Sequence, residues 1–268
     1  MEGEIIMSFG MPTLIEIDSL EETAKLCRNL GLDFIELNMN LPQYQIEELE
    51  DTRYLKEIKE KYKIDFTIHL DENLNVCDFN KSVAYAYTDT VIRAIRVAKK
   101  MDIPILNMHM NHGVHFTLPD KKVLLFEKYN MEYMKAWESF REKCEKEIGD
   151  CNIKICIENT NGFRDYEKRA IGYLLESNVF ALTMDIGHSN AIKNIDEEFI
   201  MEHKDRLKHF HIHDGLEKQD HMTLGSGEID LKQRLDIAKS CSCRCVIETK
   251  TVESLKQSVN WLYVNKII

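Results

Sequence analysis

No run in the 268-residue sequence approaches the ~18 consecutive apolar residues of a membrane-spanning helix. The opening MEGEIIMSFG has neither the basic segment nor the long apolar stretch of a secretory leader, so a cytoplasmic protein without membrane attachment is expected. Positive charge is not in excess: 35 Lys and Arg stand against 46 Asp and Glu, a net charge of −11. No global field therefore draws in nucleic acid or anionic lipid, although a local basic patch stays open. The eight cysteines contain no CxxC pair. Cys27, Cys77, Cys144, Cys151 and Cys156 read as small buried apolar residues, and Cys241, Cys243 and Cys245 lack zinc-finger spacing. The stretch expected as the first loop, GMPTLIEIDS, holds neither GxGxxG nor GxxxxGK[ST], which argues against a doubly wound nucleotide-binding sheet; no nucleotide cofactor is expected. Nor is there a Ser/Gly/Pro-rich linker, so residues 1–268 are expected to form one domain.

What is present is regular alternation. Eight short runs, EIIMSF, DFIELN, IDFTIHL, PILNMHM, IKICIE, FALTMD, KHFHIHD and CRCVIE, have strand composition. Between them lie amphipathic segments such as SLEETAKLCRNLG, QIEELEDTRYLKEIKEKY and SVAYAYTDTVIRAIRVAKKM, and VESLKQSVNWLYV follows the last. Eight βα units in succession predict an α/β protein, a single-domain (β/α)8 TIM barrel with an apolar lumen floor.

A barrel strand turns alternate side chains into the lumen. On that rule the lumenal sets are Thr67 and His69, Asn107 and His109, Cys156 and Glu158, Thr183 and Asp185, His209, His211 and His213, and Val246 and Glu248. Six consecutive strands thus end in a potential metal ligand at the C-terminal mouth, where barrel active sites form. A lone His or Glu there is ordinarily a hydrogen-bonded structural residue; six together point to a metal centre. Mixed carboxylate and imidazole donors suit Zn, Mn, Fe or Co. Glu158, Asp185, His211 and Glu248 can surround one ion. His188 lies in the following loop as ligand, ligand support or substrate donor, and His69 and His109 approach from the other side. Asp220 and His221 precede LGSG in a stretch whose plain reading is a mobile surface loop. Of the three histidines of HFHIHD, His209 is expected deepest and structural, His211 a ligand, and His213 with Asp214 at the start of the covering loop. Glu36 either contacts substrate or anchors a loop; Asn159 and His213 are further candidate substrate contacts. His112 and His115 either line the entrance or are solvated, His203 is expected at the surface, and Trp137 and Trp261 in helix packing.

The segments IHLDENLNV, AIRVAKKMDIPILNMHMNHG, ICIENTNG, MDIGHSN, HFHIHDG, DHMTLGSGEID and VIET, in this order, resemble the xylose isomerase-like TIM barrels, which include ketose 3-epimerases and endonuclease IV. The resemblance covers most of the chain. Toward the isomerase and epimerase branch it implies a divalent ion, Zn or Mn first and Co, Fe or Mg otherwise, on Glu158, Asp185, His211 and Glu248. It also implies His188 beside a carbohydrate substrate, and Glu158 and Glu248 as the acid/base pair working through a metal-stabilised enediolate. The arginine that ketose 3-epimerases carry after the seventh-strand histidine has no counterpart, since Glu217 and Lys218 occupy that stretch. Toward endonuclease IV it implies three zinc ions held additionally by His69, His109, His188, Asp220 and His221, and cleavage of abasic-site DNA. HLDENLN lacks that enzyme's Tyr-Leu wedge and NMNLPQYQ its arginine, so sugar chemistry is the favoured expectation. A non-catalytic metal- or sugar-binding barrel is the third, disfavoured by the intact Glu158 and Glu248 pair. A homo-oligomer is expected only by analogy with related barrels.

Overall fold

The computed structural model describes residues 7–268. Residues 4–6 of the expected first strand lie outside them. Among the described residues that strand is β1, Ser8–Pro12, so Gly10, Met11 and Pro12, expected in a loop, belong to the sheet. Gly10 is the reason the neighbouring strands can close up: a Cβ there would lie 2.5 Å from the ring of Phe34.

Seven further strands complete the barrel: β2 Phe34–Asn38, β3 Asp65–His69, β4 Ile105–His109, β5 Lys154–Glu158, β6 Phe180–Asp185, β7 Leu207–Ile212 and β8 Arg244–Ile247. All neighbours are parallel, and β8 pairs with β1 to close the ring. The outer layer is α1 Leu20–Asn29, α2 Thr52–Tyr62, α3 Lys81–Met101, α4 Asn130–Ile148, α5 Asp165–Leu175, α6 Glu197–Glu202, α7 Leu231–Ser240 and α8 Val252–Val264. Their starts follow from capping side chains: Ser19, Asn80, Asp230 and Thr251 each accept a first-turn N–H. The segment from Gln45 to Tyr62, expected as one helix, is divided because Asp51 caps Arg53 N–H and restarts it; a short helix Ile46–Leu49 precedes the break. No helix among the described residues is long and apolar enough to cross a membrane.

The apolar core lies between sheet and helices, where Phe66, Ile68, Leu106, Ile155, Leu182 and Phe210 are fully buried. Each such side chain contributes about 1.5–3 kcal/mol relative to exposure. The lumen differs from the apolar floor expected. Only a small patch of Ile105, Cys156 and Ala181 forms its own apolar cluster, and buried Glu36, Thr67, Asn107, Thr183 and His209 fill much of the rest. Cys151 is exposed, contrary to expectation, because it follows α4 in a surface turn.

Two hairpins decorate the C-terminal side, His115–Thr117 with Lys122–Leu124 and Asp214–Leu216 with Gln219–Met222. The second occupies the stretch read as a mobile loop. Its order comes from Asp214, buried to 1 % exposure: Oδ2 accepts the N–H groups of Gly225 and Gly227, and Oδ1 those of Gly215 and Ile229. A Cβ on Gly227 would fall 2.4 Å from Asp214 Oδ1, so the glycines are what let the backbone wrap the carboxylate.

Candidate metal centre

Strand register sets the height of each mouth residue. Glu158 is level with His109 on β4, and Asp185 is level with His211 on β7. Glu248 directly follows β8, its N–H bound to Ile212 O. One donor atom from each of Glu158, Asp185, His211 and Glu248 lies within 4.8 Å of the other three. Glu158, Asp185 and His211 are at most 1 % exposed.

Their partners divide each carboxylate in two. Glu158 Oε2 accepts from the Asn107 amide and lies 3.1 Å from His109 Nε2 and 3.5 Å from His69 Nε2. His69 is turned this way because its Nδ1–H is given to Leu70 O at 2.8 Å. Glu158 Oε1 has no hydrogen-bond partner, although His211 Nδ1 is 3.3 Å and His188 Nδ1 3.5 Å away. Glu248 repeats the pattern: Oε1 takes Lys250 Nζ at 2.9 Å and lies 3.3 Å from His221 Nε2, while Oε2 has no partner. His211 Nδ1 comes within 2.8 Å of Glu248 Oε2 and still lacks hydrogen-bond alignment. Close approach without alignment leaves these donor atoms free for an ion. Unsatisfied buried polar atoms cost about 1–3 kcal/mol each, and a divalent cation with oxygen and nitrogen donors fits this set.

The electrostatics agree. Burial disfavours the charged carboxylate of Glu158, but His211 and His109 outweigh it and hold the group well below the usual range. Burial and then His211 and His221 act likewise on Glu248. Burial opposes a charged His188, yet Asp185 and Glu158 raise it to about 10. Burial likewise opposes a charge on His211, which Glu158, Glu36 and Glu248 nonetheless drive well above the histidine range. Without an ion, protons held on the histidines balance the charged carboxylates; an ion would displace those protons.

Other expected residues have different occupations. Glu36, expected to contact substrate or anchor a loop, is engaged by lumenal side chains. It is buried in the lumen with Oε2 accepting from Thr67 Oγ1 at 2.9 Å and from His209 Nε2 at 2.8 Å, and Oε1 2.8 Å from His211 Nε2. Asn159, expected to contact substrate, exchanges two hydrogen bonds of 2.9 Å with the Asp185 backbone and is fully buried. His213 is likewise closed off. Its Nδ1 accepts His221 N–H at 2.7 Å and its Nε2–H is directed at Asp185 Oδ2 at 3.0 Å, fixing the tautomer and aiming the carboxylate. Gly187 makes room for it, since a Cβ there would be 1.9 Å from the imidazole. His188 N–H caps Asp185 Oδ1 at 2.6 Å from the short helix Ile186–Ala191. Asp220 Oδ1 lies 2.8 Å from His221 Nδ1, and His188, His213 and His221 form another group with donors within 4.8 Å; His69, Glu158 and His211 form a third.

Away from the centre, His112 is half-buried and held by an acid rather than free in solvent. Its Nδ1 is 2.6 Å from Oε1 of the fully buried Glu167. His115 is exposed, His203 half-buried against Phe199 O, Trp137 buried and Trp261 half-buried. Lys250 and Asn107 touch the two glutamates and were not singled out from the sequence; Asn107 stands on the lumenal alternation of β4, and Lys250 two residues past Glu248.

A family model described as "Xylose isomerase-like TIM barrel" matches residues 24–264. Among curated proteins the chain is 26% identical over 215 residues to the uncharacterised protein MJ1614 of Methanocaldococcus jannaschii, covering 74% of this chain and 76% of that one. Among solved structures it is similar to a D-tagatose 3-epimerase-like protein, with a TM-score of 0.73, 21% identity and coverage of 98% and 100% of the two chains. It is also similar to the 3-keto-D-glucoside 4-epimerase YcjR of E. coli, with a TM-score of 0.75, 14% identity and coverage of 97% and 100%.

Proposed function

The chain belongs to the xylose isomerase-like TIM barrel family, and from that premise we propose that it is a divalent-metal-dependent isomerase or epimerase of a sugar or sugar phosphate. The observation that carries the reading is the set Glu158, Asp185, His211 and Glu248, whose two glutamates each turn one unpartnered, buried oxygen toward the common point. Those four residues would hold the ion. When bound, it would polarise the oxygens flanking the reacting carbon and make the adjacent C–H more acidic. Glu158 and Glu248 arrive from strands β5 and β8 and supply two carboxylates for removing and returning that proton. His109 and Asn107 steady the one, Lys250 and His221 the other. His188 is the nearby imidazole that would donate to a substrate oxygen. The similar structures are named as sugar epimerases, which supports a ketose or keto-sugar as the first class to try.

The test is elemental analysis of the purified protein combined with NMR detection of deuterium wash-in from D2O into a panel of ketoses and their phosphates. The reading expects bound divalent metal and wash-in at a carbon next to the carbonyl, lost in Glu158→Gln and Glu248→Gln. Metal without exchange on any member of the panel would overturn it.

A second reading draws on two of the three additional donor groups, His69 with Glu158 and His211, and His188 with His213 and His221. They support room for further ions and hence an endonuclease IV-like zinc phosphodiesterase. Cleavage of an abasic-site duplex at physiological salt, with three zinc ions bound, would favour it; the net charge of −11 weighs against it.

A further inference from the structure

Outside the barrel, Val91, Ile95 and Ala98 of α3 and Cys144 and Ile148 of α4 are buried toward the C-terminal ends of the two helices, where Arg96 pairs with Glu147 at 3.0 Å. Toward their N-terminal ends they part. The residues facing each other there are small, Ala84 and Thr88 on α3 and Ala136 and Ser139 on α4, and a cavity of about 530 Å3 remains between them. That volume lies within the range of about 300–1,000 Å3 typical of small-molecule sites.

The rim has a distinct chemistry. Phe79, Tyr85 and Tyr129 stand around it with 43%, 62% and 43% of their surface exposed, more than large aromatic groups ordinarily leave in water. Lys81, Lys135 and Lys143 also line it. Like most lysines among the described residues, these three have no ion-pair partner, but here they are gathered on one cavity wall. Lys143 Nζ rests instead 5.3 Å from the centre of the Tyr85 ring. Of the two acids in the wall, Asp78 is committed to the turn before α3 through Asn80 N–H and Asn75 Nδ2. The wall thus carries three ammonium groups against the two carboxylates of Asp78 and Glu132, and only that of Glu132 is free of the turn.

We propose that this cavity is a second ligand site, separate from the metal centre, for an organic anion with a flat apolar body. The body lies between the small-residue walls and the aromatic rim, and the anionic group reaches the lysines. Apolar area and aromatic faces supply affinity, and the unpaired cations select charge. The inference is independent of what the barrel mouth catalyses.

The experiment titrates the full-length chain, with its metal as purified, with 1-anilinonaphthalene-8-sulfonate, followed by fluorescence. Saturable one-to-one binding is expected, weakened by about tenfold or more when Ala136→Trp fills the cavity, and by about tenfold in Lys135→Glu/Lys143→Glu. The neutral analogue N-phenyl-1-naphthylamine is expected to bind about tenfold less tightly. Displacement of the probe by 2-naphthoate or by 2-naphthyl phosphate supports the site and tells a carboxylate ligand from a phosphate one. Circular dichroism checks that each variant is folded; the lysine variants are at the surface and carry the test if Ala136→Trp does not fold. Binding unchanged in the folded variants, equal affinity for the neutral analogue, or displacement by neither anion overturns the proposal.

Discussion

Two groups of buried polar side chains sit in this barrel, and they are finished to different degrees. In the lumen, the Glu36 carboxylate lies against Thr67, His209 and His211, so each of its oxygens has a neighbour at 2.8–2.9 Å, although His209 Nδ1 and His211 Nε2 lack a hydrogen-bond partner. At the mouth, Glu158 and Glu248 each leave one buried oxygen without a partner, beside His188 and His211 nitrogens that also lack one. A closed group is scaffold, because removing any member leaves a buried charge uncompensated. An open group leaves buried donor atoms free to take a ligand from outside the chain. His211 belongs to both: Nε2 faces Glu36 and Nδ1 faces the mouth.

The difference is testable by breaking each group in turn. The largest effect expected is on Glu158→Gln: proton transfer measured by deuterium wash-in falls by about 10²–10⁴-fold, and the metal-free protein also melts lower, because the carboxylate that raises His69 and His188 is gone. Wash-in that survives the substitution would put Glu158 with the scaffold. Glu36→Ala should act on stability above all, costing about 3–5 kcal/mol by leaving two histidines against an empty place. At about 2–4 °C per kcal/mol, calorimetry should show a fall on the order of 10 °C; an unchanged melting temperature would dissolve the distinction between the groups.

Next in size is chelation. An ion bound to the folded state alone adds about 2.7 kcal/mol at one hundred times its dissociation constant, so stripping it should lower the melting temperature of the wild type and leave that of Asp185→Ala unmoved. The smallest effect is the response to pH. In the folded, metal-free chain His188 is raised to about 10 and His69 to about 9, in each case against burial, by Asp185 and Glu158 for the first and Glu158 and Glu36 for the second. A raised pKa contributes stability that is complete below about 6.5, the unfolded value, and fades as pH climbs through 9 to 10. With chelator present, melting temperature should therefore decline between pH 6.5 and 9.5. With saturating divalent ion the decline should be shallower, because the ion takes over from protons that would leave. Parallel curves would mean that the ion and the protons do not compete for the same groups.

Much of the barrel was legible because the signals are local. The strand and helix alternation is read within windows of six to twenty residues, and Ser19, Asn80, Asp230 and Thr251 announce helix starts through a hydrogen bond two to three residues away. The same holds for the lumenal face of each strand. Where local reading failed, a distant partner had intervened. Gly10 looked like a loop glycine and is a strand residue fitted to Phe34. His112 looked solvated and is held by Glu167, 55 residues on. The stretch around LGSG looked mobile and is ordered by Asp214.

The sequence by itself determined that eight βα units follow one another and that each strand from the third to the eighth ends in a donor, since both are consequences of periods of 3.6 and 2. Which donors meet was decided only by the closed barrel. Alternation puts His209, His211 and His213 on one face without distinguishing them; strand tilt and register place His209 beside Glu36, His211 level with Asp185, and His213 behind that carboxylate. Side-chain direction is a property of one residue and its neighbours, whereas height at the mouth depends on how all eight strands close.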